Sequence, residues 1–149
     1  MEQLEIKKLL QAVAAGETSV DSALLQLKEA PFEDLGFAKL DHHRALRQGT
    51  AEVIYGAGKT PEQILKIAQA MLRHGQKTVL ITRLSQQAAD VLAPQLSFTY
   101  HELGRVGIAG TMPEPTGRGK IVIATGGTSD QPVAEEAALT AEALGNEVV

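Results

Sequence analysis

The sequence has 149 residues, a net charge of −4 and no cysteine. An apolar fraction of 44% with 21% charged residues is typical of a globular protein, and the length suits one domain or a small domain with part of another. Without cysteine, these residues contain no disulfide framework, zinc knuckle or thiol nucleophile. The apolar runs are too short to cross a bilayer and no basic-then-apolar leader opens the chain, so we expect a cytoplasmic protein without a membrane partner.

The charge is unevenly distributed along the chain. Residues 1–38 carry 3 basic and 7 acidic side chains, whereas residues 39–83 carry 8 basic and 3 acidic ones. A basic middle within an acidic chain suits a compact anionic ligand better than a polyanion, and we therefore expect no nucleic-acid partner. Lysines scattered over solvated helix faces are the alternative explanation.

The first predicted unit is a helical pair over residues 1–34. Apolar side chains recur at helical spacing on either side of Gly16, which ends the first helix. Thr18 or Ser19 can cap the second helix, and Pro31 closes it.

Residues 35–103 predict a small α/β domain, because short β-prone runs alternate with helical repeats. Thr60 and Gln63 form a capping-box pattern at a helix start, and residues 78–82 are typical of a strand. Five glycines and two prolines make residues 104–119 a predicted linker.

Residues 120–149 predict a strand, a turn, a helix and the start of another strand. Residues 121–124 are apolar without a polar break, as in a strand buried on both faces of a parallel sheet. One βαβ unit cannot cover both faces of such a sheet, so we expect this domain to be incomplete. The predicted fold class is α/β, with a helical pair, a small α/β region and the first βα unit of a flavodoxin-like parallel-sheet domain.

The turn between the apolar run and the last helix is the first candidate binding segment. It contains Gly126, Gly127, Thr128, Ser129 and Asp130. Open α/β sheets bind ligands at such turns, where glycines allow close approach and backbone N–H groups attract anions. The two hydroxyls can donate to phosphate, and the carboxylate can hold a ribose hydroxyl or cap the helix. An ordinary strand–helix turn is the alternative.

Basic residues in the middle of the chain are the second set of candidates. Arg44 and Arg47 are three residues apart and would share a helix face, where they can clamp phosphate or carboxylate. Lys59 follows a glycine-rich turn that lacks the first glycine of a nucleotide P-loop, so it offers a point charge, not an ATPase site. Arg83 follows the strand at 78–82, where either a ligand contact or a surface salt bridge is expected. The four histidines do not have the spacing of a zinc site.

Several of these segments together resemble the LarB family, whose members build the nickel-pincer cofactor of lactate racemase. The run from Lys120 to Ala137, with its Gly-Gly-Thr-Ser-Asp turn, is similar to the opening of the aminoimidazole-ribonucleotide carboxylase fold. Residues 41–49, residues 52–64 and the pair Thr82-Arg83 resemble the N-terminal region that LarB proteins add to that fold.

The resemblance implies a carboxylase and hydrolase. Such enzymes add CO₂ or bicarbonate to the pyridinium ring of nicotinate adenine dinucleotide and hydrolyse its phosphoanhydride, which gives a dicarboxylated mononucleotide and AMP. It implies that Ser129 and Asp130 hold ribose or phosphate near the reacting ring and that Arg44, Arg47 and Arg83 hold the pyrophosphate or the carboxylate. It also implies Mg²⁺ assistance to the hydrolysis and a homo-oligomeric ring, commonly an octamer.

The family's catalytic cysteine has no counterpart in this chain. We therefore expect no catalytic residue here and no carboxylation by the chain alone. Two alternatives stay open. One is a nucleotide-binding or regulatory module without catalysis, and the other is an aminoimidazole ribonucleotide carboxylase or mutase with an N-terminal extension.

Overall fold

The computed structural model describes residues 3–29, 32–41 and 52–149. The chain divides into two compact units, Met1–Gly49 and Thr50–Val149. Helices and mixed sheets confirm the predicted α/β class.

Among its described residues, the first unit contains two helices and a β-hairpin. Helix α1 spans Gln3–Ala14 and α2 spans Val20–Glu29, with the predicted cap residue Ser19 accepting a hydrogen bond from the backbone N–H of Ser22 at 3.1 Å. Strand β1 (Phe32–Asp34) pairs antiparallel with β2 (Lys39–Asp41). The predicted domain boundary after residue 34 is wrong, because it falls between β1 and β2, which pair with each other in one hairpin.

The second unit contains a four-stranded sheet, a two-stranded sheet and three helices among its described residues. Its elements in chain order are β3 (Ile54–Tyr55), α3 (Pro61–Arg73), β4 (Thr78–Thr82), α4 (Gln86–Leu92), β5 (Phe98–His101), β6 (Val106–Gly110), β7 (Lys120–Ile121), a 3₁₀ turn (Thr128–Asp130), α5 (Gln131–Ala143) and β8 (Glu147–Val148). The larger sheet has the order β3-β4-β6-β5, with β3 parallel to β4 and the other pairs antiparallel. Strands β7 and β8 pair in parallel on either side of α5 and so close one βαβ unit.

Local sequence explains the start of α3 and the position of β4. The Thr60 hydroxyl accepts from the backbone N–H of Gln63 at 3.3 Å, and the Gln63 side chain accepts from the backbone N–H of Thr60 at 3.0 Å. This capping box, followed by Pro61 in the first turn, satisfies N–H groups that the helix leaves free. Residues 79–81 of β4 are all buried, as expected for an apolar, β-branched run in the middle of a sheet.

One face of the larger sheet is covered by α5. Leu139 of this helix is 7% exposed and packs in a cluster with Leu80, Val106 and Ile108. Because strand side chains alternate between faces, Val79 and Ile81 point to the opposite face of the sheet. The helix that follows the candidate binding turn is thus anchored on the four-stranded sheet.

The predicted linker over residues 104–119 is corrected in its first half. Residues 106–110 form β6, a central strand of the sheet. The glycines of this strand are there because neighbouring atoms leave no room for a side chain, and they do not mark a loop. Gly110 has φ +90, and a Cβ there would lie 2.1 Å from the carbonyl oxygen of Lys77. No L-residue with a side chain fits at that contact.

The expectation of a buried strand at residues 121–124 is wrong for this chain. The strand β7 spans only two residues, and Ile121 and Val122 are 39% and 72% exposed. An apolar run of this type is buried only when neighbouring elements cover both of its faces, and among the described residues β7 pairs with no strand other than β8.

Candidate functional site

The carboxyl ends of β3 and β4 bring two of the predicted segments together. Their register places Tyr55 opposite Thr82, so that the glycine-rich loop after β3 lies beside Arg83. The backbone N–H of Gly56 donates to the Thr82 carbonyl at 2.7 Å, and a Cβ at Gly56 would lie 2.9 Å from the same oxygen. Glycine is therefore needed here because the loop presses against the end of β4.

Lys59 lies on this loop, as predicted, but its ammonium group has an internal partner. The Lys59 Nζ donates to the carbonyl oxygen of Tyr55 at 2.8 Å. The charge is thereby held over the end of β3, at the same edge of the sheet as Arg83.

The loop between β5 and β6, residues 102–105, lies at the same edge of the sheet beside Leu84. The backbone N–H of Leu84 donates to the carbonyl of Arg105 at 2.8 Å, and the Tyr100 hydroxyl donates to the carbonyl of Leu84 at 3.0 Å. Burial raises the pKa of the Tyr100 phenol above its ordinary value. Sequence reasoning missed Arg105 because it lies within the predicted linker, and only the antiparallel pairing of β4 with β6 brings it to this edge.

Arg83 has an unusual backbone and a specific partner. Its φ of 53° is left-handed, which costs a residue with a side chain about 1–2 kcal/mol. Its side chain is 50% exposed and forms an ion pair with Glu136 of α5, in which Nε lies 3.1 Å from Oε2. The structure thus shows the salt bridge that sequence reasoning left as one of two outcomes, although half-exposed pairs of this kind contribute only about 0–1 kcal/mol.

The turn at residues 125–130 is open to solvent. Apart from its chain neighbours, no described residue lies within 4 Å of a Cβ built at Gly126 or Gly127, and Gly127 has an extended φ of −168° that any residue adopts. Thr128, Ser129 and Asp130 are exposed, and no side chain caps the 3₁₀ turn or α5. Packing among the described residues therefore does not explain the two glycines, and N–H groups of the turn bond to backbone carbonyls, with that of Asp130 donating to Gly127 at 3.2 Å.

A cavity of about 540 Å³ connects the Arg83 region with α5. Arg83 and Glu136 contribute its charged side chains, and Val133, four residues after Ser129, lies on the same wall. The remaining lining residues are Ile121, Ala137, Thr140, Ala141, Leu144 and Asn146. The Arg83 side chain and one face of α5, along most of its length, thus face a shared space that residues 126–130 do not line.

The two remaining basic candidates, Arg44 and Arg47, are not among the described residues. Within residues 3–29, 32–41 and 52–149, no three His, Asp or Glu side chains are grouped to hold a metal ion. Over the same ranges, no helix has the length and apolarity that a membrane span requires.

Comparison with known proteins identifies the family. Residues 32–111 match the model of the LarB/PurE-like N-terminal domain. The chain belongs to the LarB family. The match begins at β1 and ends one residue after β6, so the LarB N-terminal domain includes the central strand that sequence reasoning assigned to a linker.

One relative extends the similarity to nearly the whole chain. An uncharacterized protein of Methanocaldococcus jannaschii is 30% identical over 151 residues, which cover 97% of this chain. The aligned part is 59% of that relative's length, so the chain spans less than two thirds of it.

Proposed function

We propose that this chain contributes the dinucleotide-binding part of a LarB-type carboxylase and hydrolase. In this proposal the whole enzyme carboxylates the pyridinium ring of nicotinate adenine dinucleotide with CO₂ or bicarbonate and cleaves its phosphoanhydride to release AMP. The observation that carries the proposal is the turn at residues 126–130, whose glycines face open space and whose backbone N–H groups have no side-chain cap.

The chemistry of the substrate agrees with this turn and with the basic edge of the sheet. The positive end of a helix favours an anionic oxygen, and the hydroxyls of Thr128 and Ser129 can donate to a phosphate or a ribose. A dinucleotide carries two phosphates and a carboxylate, and Arg83, which lines a cavity along α5, offers a second, cationic group for one of these anions. Arg44 and Arg47 are proposed to complete the anion contacts.

The proposed division of roles follows from the composition of the chain. It has no cysteine, so the nucleophile that adds to the pyridinium ring would come from residues other than these 149. The described residues do not form a magnesium cage, and in this proposal Mg²⁺ would be held by the substrate phosphates, with the exposed Asp130 carboxylate as one available protein ligand. Homo-oligomeric assembly and a cytoplasmic location belong to the same proposal.

The lack of cysteine also favours a second candidate function. A nucleotide-binding or regulatory module without catalysis would use the same turn and the same arginine. The two candidates differ in whether the chain, combined with the residues that carry the nucleophile, supports carboxylation.

Calorimetric titration with nicotinate adenine dinucleotide tests the proposal, with AMP and aminoimidazole ribonucleotide as comparators. We expect selective binding of the dinucleotide, weakened about tenfold or more by Ser129→Ala, because a hydrogen bond to a charged group contributes about 1.5–3 kcal/mol. Ser97→Ala is the matched control, since Ser97 is also exposed and precedes β5. Equal affinity for all three ligands, or no binding by the folded chain, would contradict the assignment of recognition to these residues.

A further inference from the structure

The backbone of Arg83 is held from two sides. The N–H of Gly56 donates to the carbonyl of Thr82 on one side, and the N–H of Leu84 donates to the carbonyl of Arg105 on the other. These bonds keep Arg83 in a left-handed conformation that glycine would adopt without cost. A half-exposed ion pair adds little stability in return, so stability alone does not explain an arginine at this position.

The contact with Glu136 leaves most of the guanidinium free. Both carboxylate oxygens of Glu136 approach the Nε of Arg83, at 3.1 Å and 3.3 Å. Among the described residues, neither Nη group of Arg83 makes a hydrogen bond. A guanidinium has five N–H donors in a planar fork, so four of them remain available on the exposed side.

The position of Glu136 is itself fixed by packing. Leu139, three residues later on the same helix, lies in the cluster on the sheet, and a Cβ at Gly104 would lie 3.1 Å from the backbone nitrogen of Glu136. Glu136 follows Asp130 by six residues, about 9 Å along a helix axis. The carboxylate is thus held by a rigid element a short distance from the binding turn.

We propose that Glu136 is a positioning residue, which holds Arg83 through Nε and leaves its Nη groups to bind an anionic group of the dinucleotide in the cavity along α5. This inference rests on the proposed function and adds to it a residue that contacts no ligand. A substrate phosphate or carboxylate would accept from the two Nη groups, a bidentate geometry that an unrestrained arginine reaches only at an entropic cost.

A double-mutant cycle in dinucleotide affinity tests this role, with the 149-residue chain as the starting protein. We expect Arg83→Ala to weaken binding about tenfold and Glu136→Gln about threefold. In the Arg83→Ala background, Glu136→Gln should have no further effect, because the group that it positions is gone. Glu142→Gln, on the same helix but without a contact to Arg83, is the control and should change affinity less than about twofold.

The outcomes separate this inference from the proposed function. Wild-type protein that does not bind the dinucleotide would overturn both. Wild-type binding with no loss in Arg83→Ala, an equal loss from Glu136→Gln in both backgrounds, or tighter binding by Glu136→Gln would overturn the positioning role alone. Arg83→Lys provides a second check, because lysine keeps the charge but lacks Nε–H. In the Arg83→Lys background, Glu136→Gln should change the affinity for the dinucleotide by less than about twofold.

Discussion

The attachment of α5 to the sheet is the feature on which the candidate site most depends, and Leu139→Ala tests it. Leu139 is 7% exposed and its neighbours are Leu80, Val106 and Ile108. Truncation removes three carbons from this cluster and leaves a cavity that sheet and helix close only partly. For buried leucines the cost is about 2.7–5 kcal/mol, and we expect about 3 kcal/mol because the site lies at the end of the cluster next to partly buried Ala143.

Urea unfolding followed by circular dichroism measures this loss. With a slope of about 2 kcal/mol/M, a loss of about 3 kcal/mol lowers the midpoint by roughly 1.5 M. Leu144→Ala is the matched control, since it makes the same substitution at a position that is 44% exposed, and it should cost less than about 1 kcal/mol. Equal losses at the two positions would refute the conclusion that α5 is anchored through Leu139.

Two further predictions concern a glycine and a tyrosine. Gly110→Ala should destabilise the protein by more than about 2 kcal/mol in urea, because its Cβ meets a carbonyl oxygen at 2.1 Å. Gly119→Ala has a similar positive φ but no neighbour within 4 Å, so it should cost only about 1 kcal/mol, and equal costs would contradict the steric argument. Burial raises the pKa of Tyr100, so the folded state keeps the phenol proton more tightly, and this contribution to stability is present below pH 10.0 and lost as the pH rises through the folded-state pKa. Tyr100→Phe removes the hydrogen bond to the Leu84 carbonyl and should be less stable by about 1 kcal/mol at neutral pH. Because the ionised phenol is disfavoured in the folded state, this difference should shrink in unfolding measurements above pH 10.0, and a constant difference would contradict the burial argument.

Short-range features of this protein could be predicted from the sequence. The capping box of Thr60 and Gln63 involves residues three apart, and the strand at residues 78–82 is a compact apolar, β-branched run. The turn at residues 126–130 was likewise identified from neighbouring residues, and the structure places it at the start of a helix. Such features depend on interactions within a few residues, which the order of side chains specifies directly.

Features that depend on distant residues could not be predicted in the same way. Glycines and prolines at residues 104–119 indicated a linker, yet Gly110 is there because the backbone of residue 77 approaches it. Residues 121–124 have the pattern of a buried strand, but burial depends on what covers the strand, and here Val122 remains 72% exposed.

The sequence by itself determined the α/β class, the positions of most helices and strands, and the family resemblance carried by the turn and the basic segments. Only the tertiary structure decided that Arg83 pairs with Glu136, 53 residues away, and that Arg105 reaches the same edge of the sheet. The physical reason is that hydrogen-bonding periodicity and capping act between neighbours in the chain, whereas the partners of a charge are selected by strand pairing and helix packing.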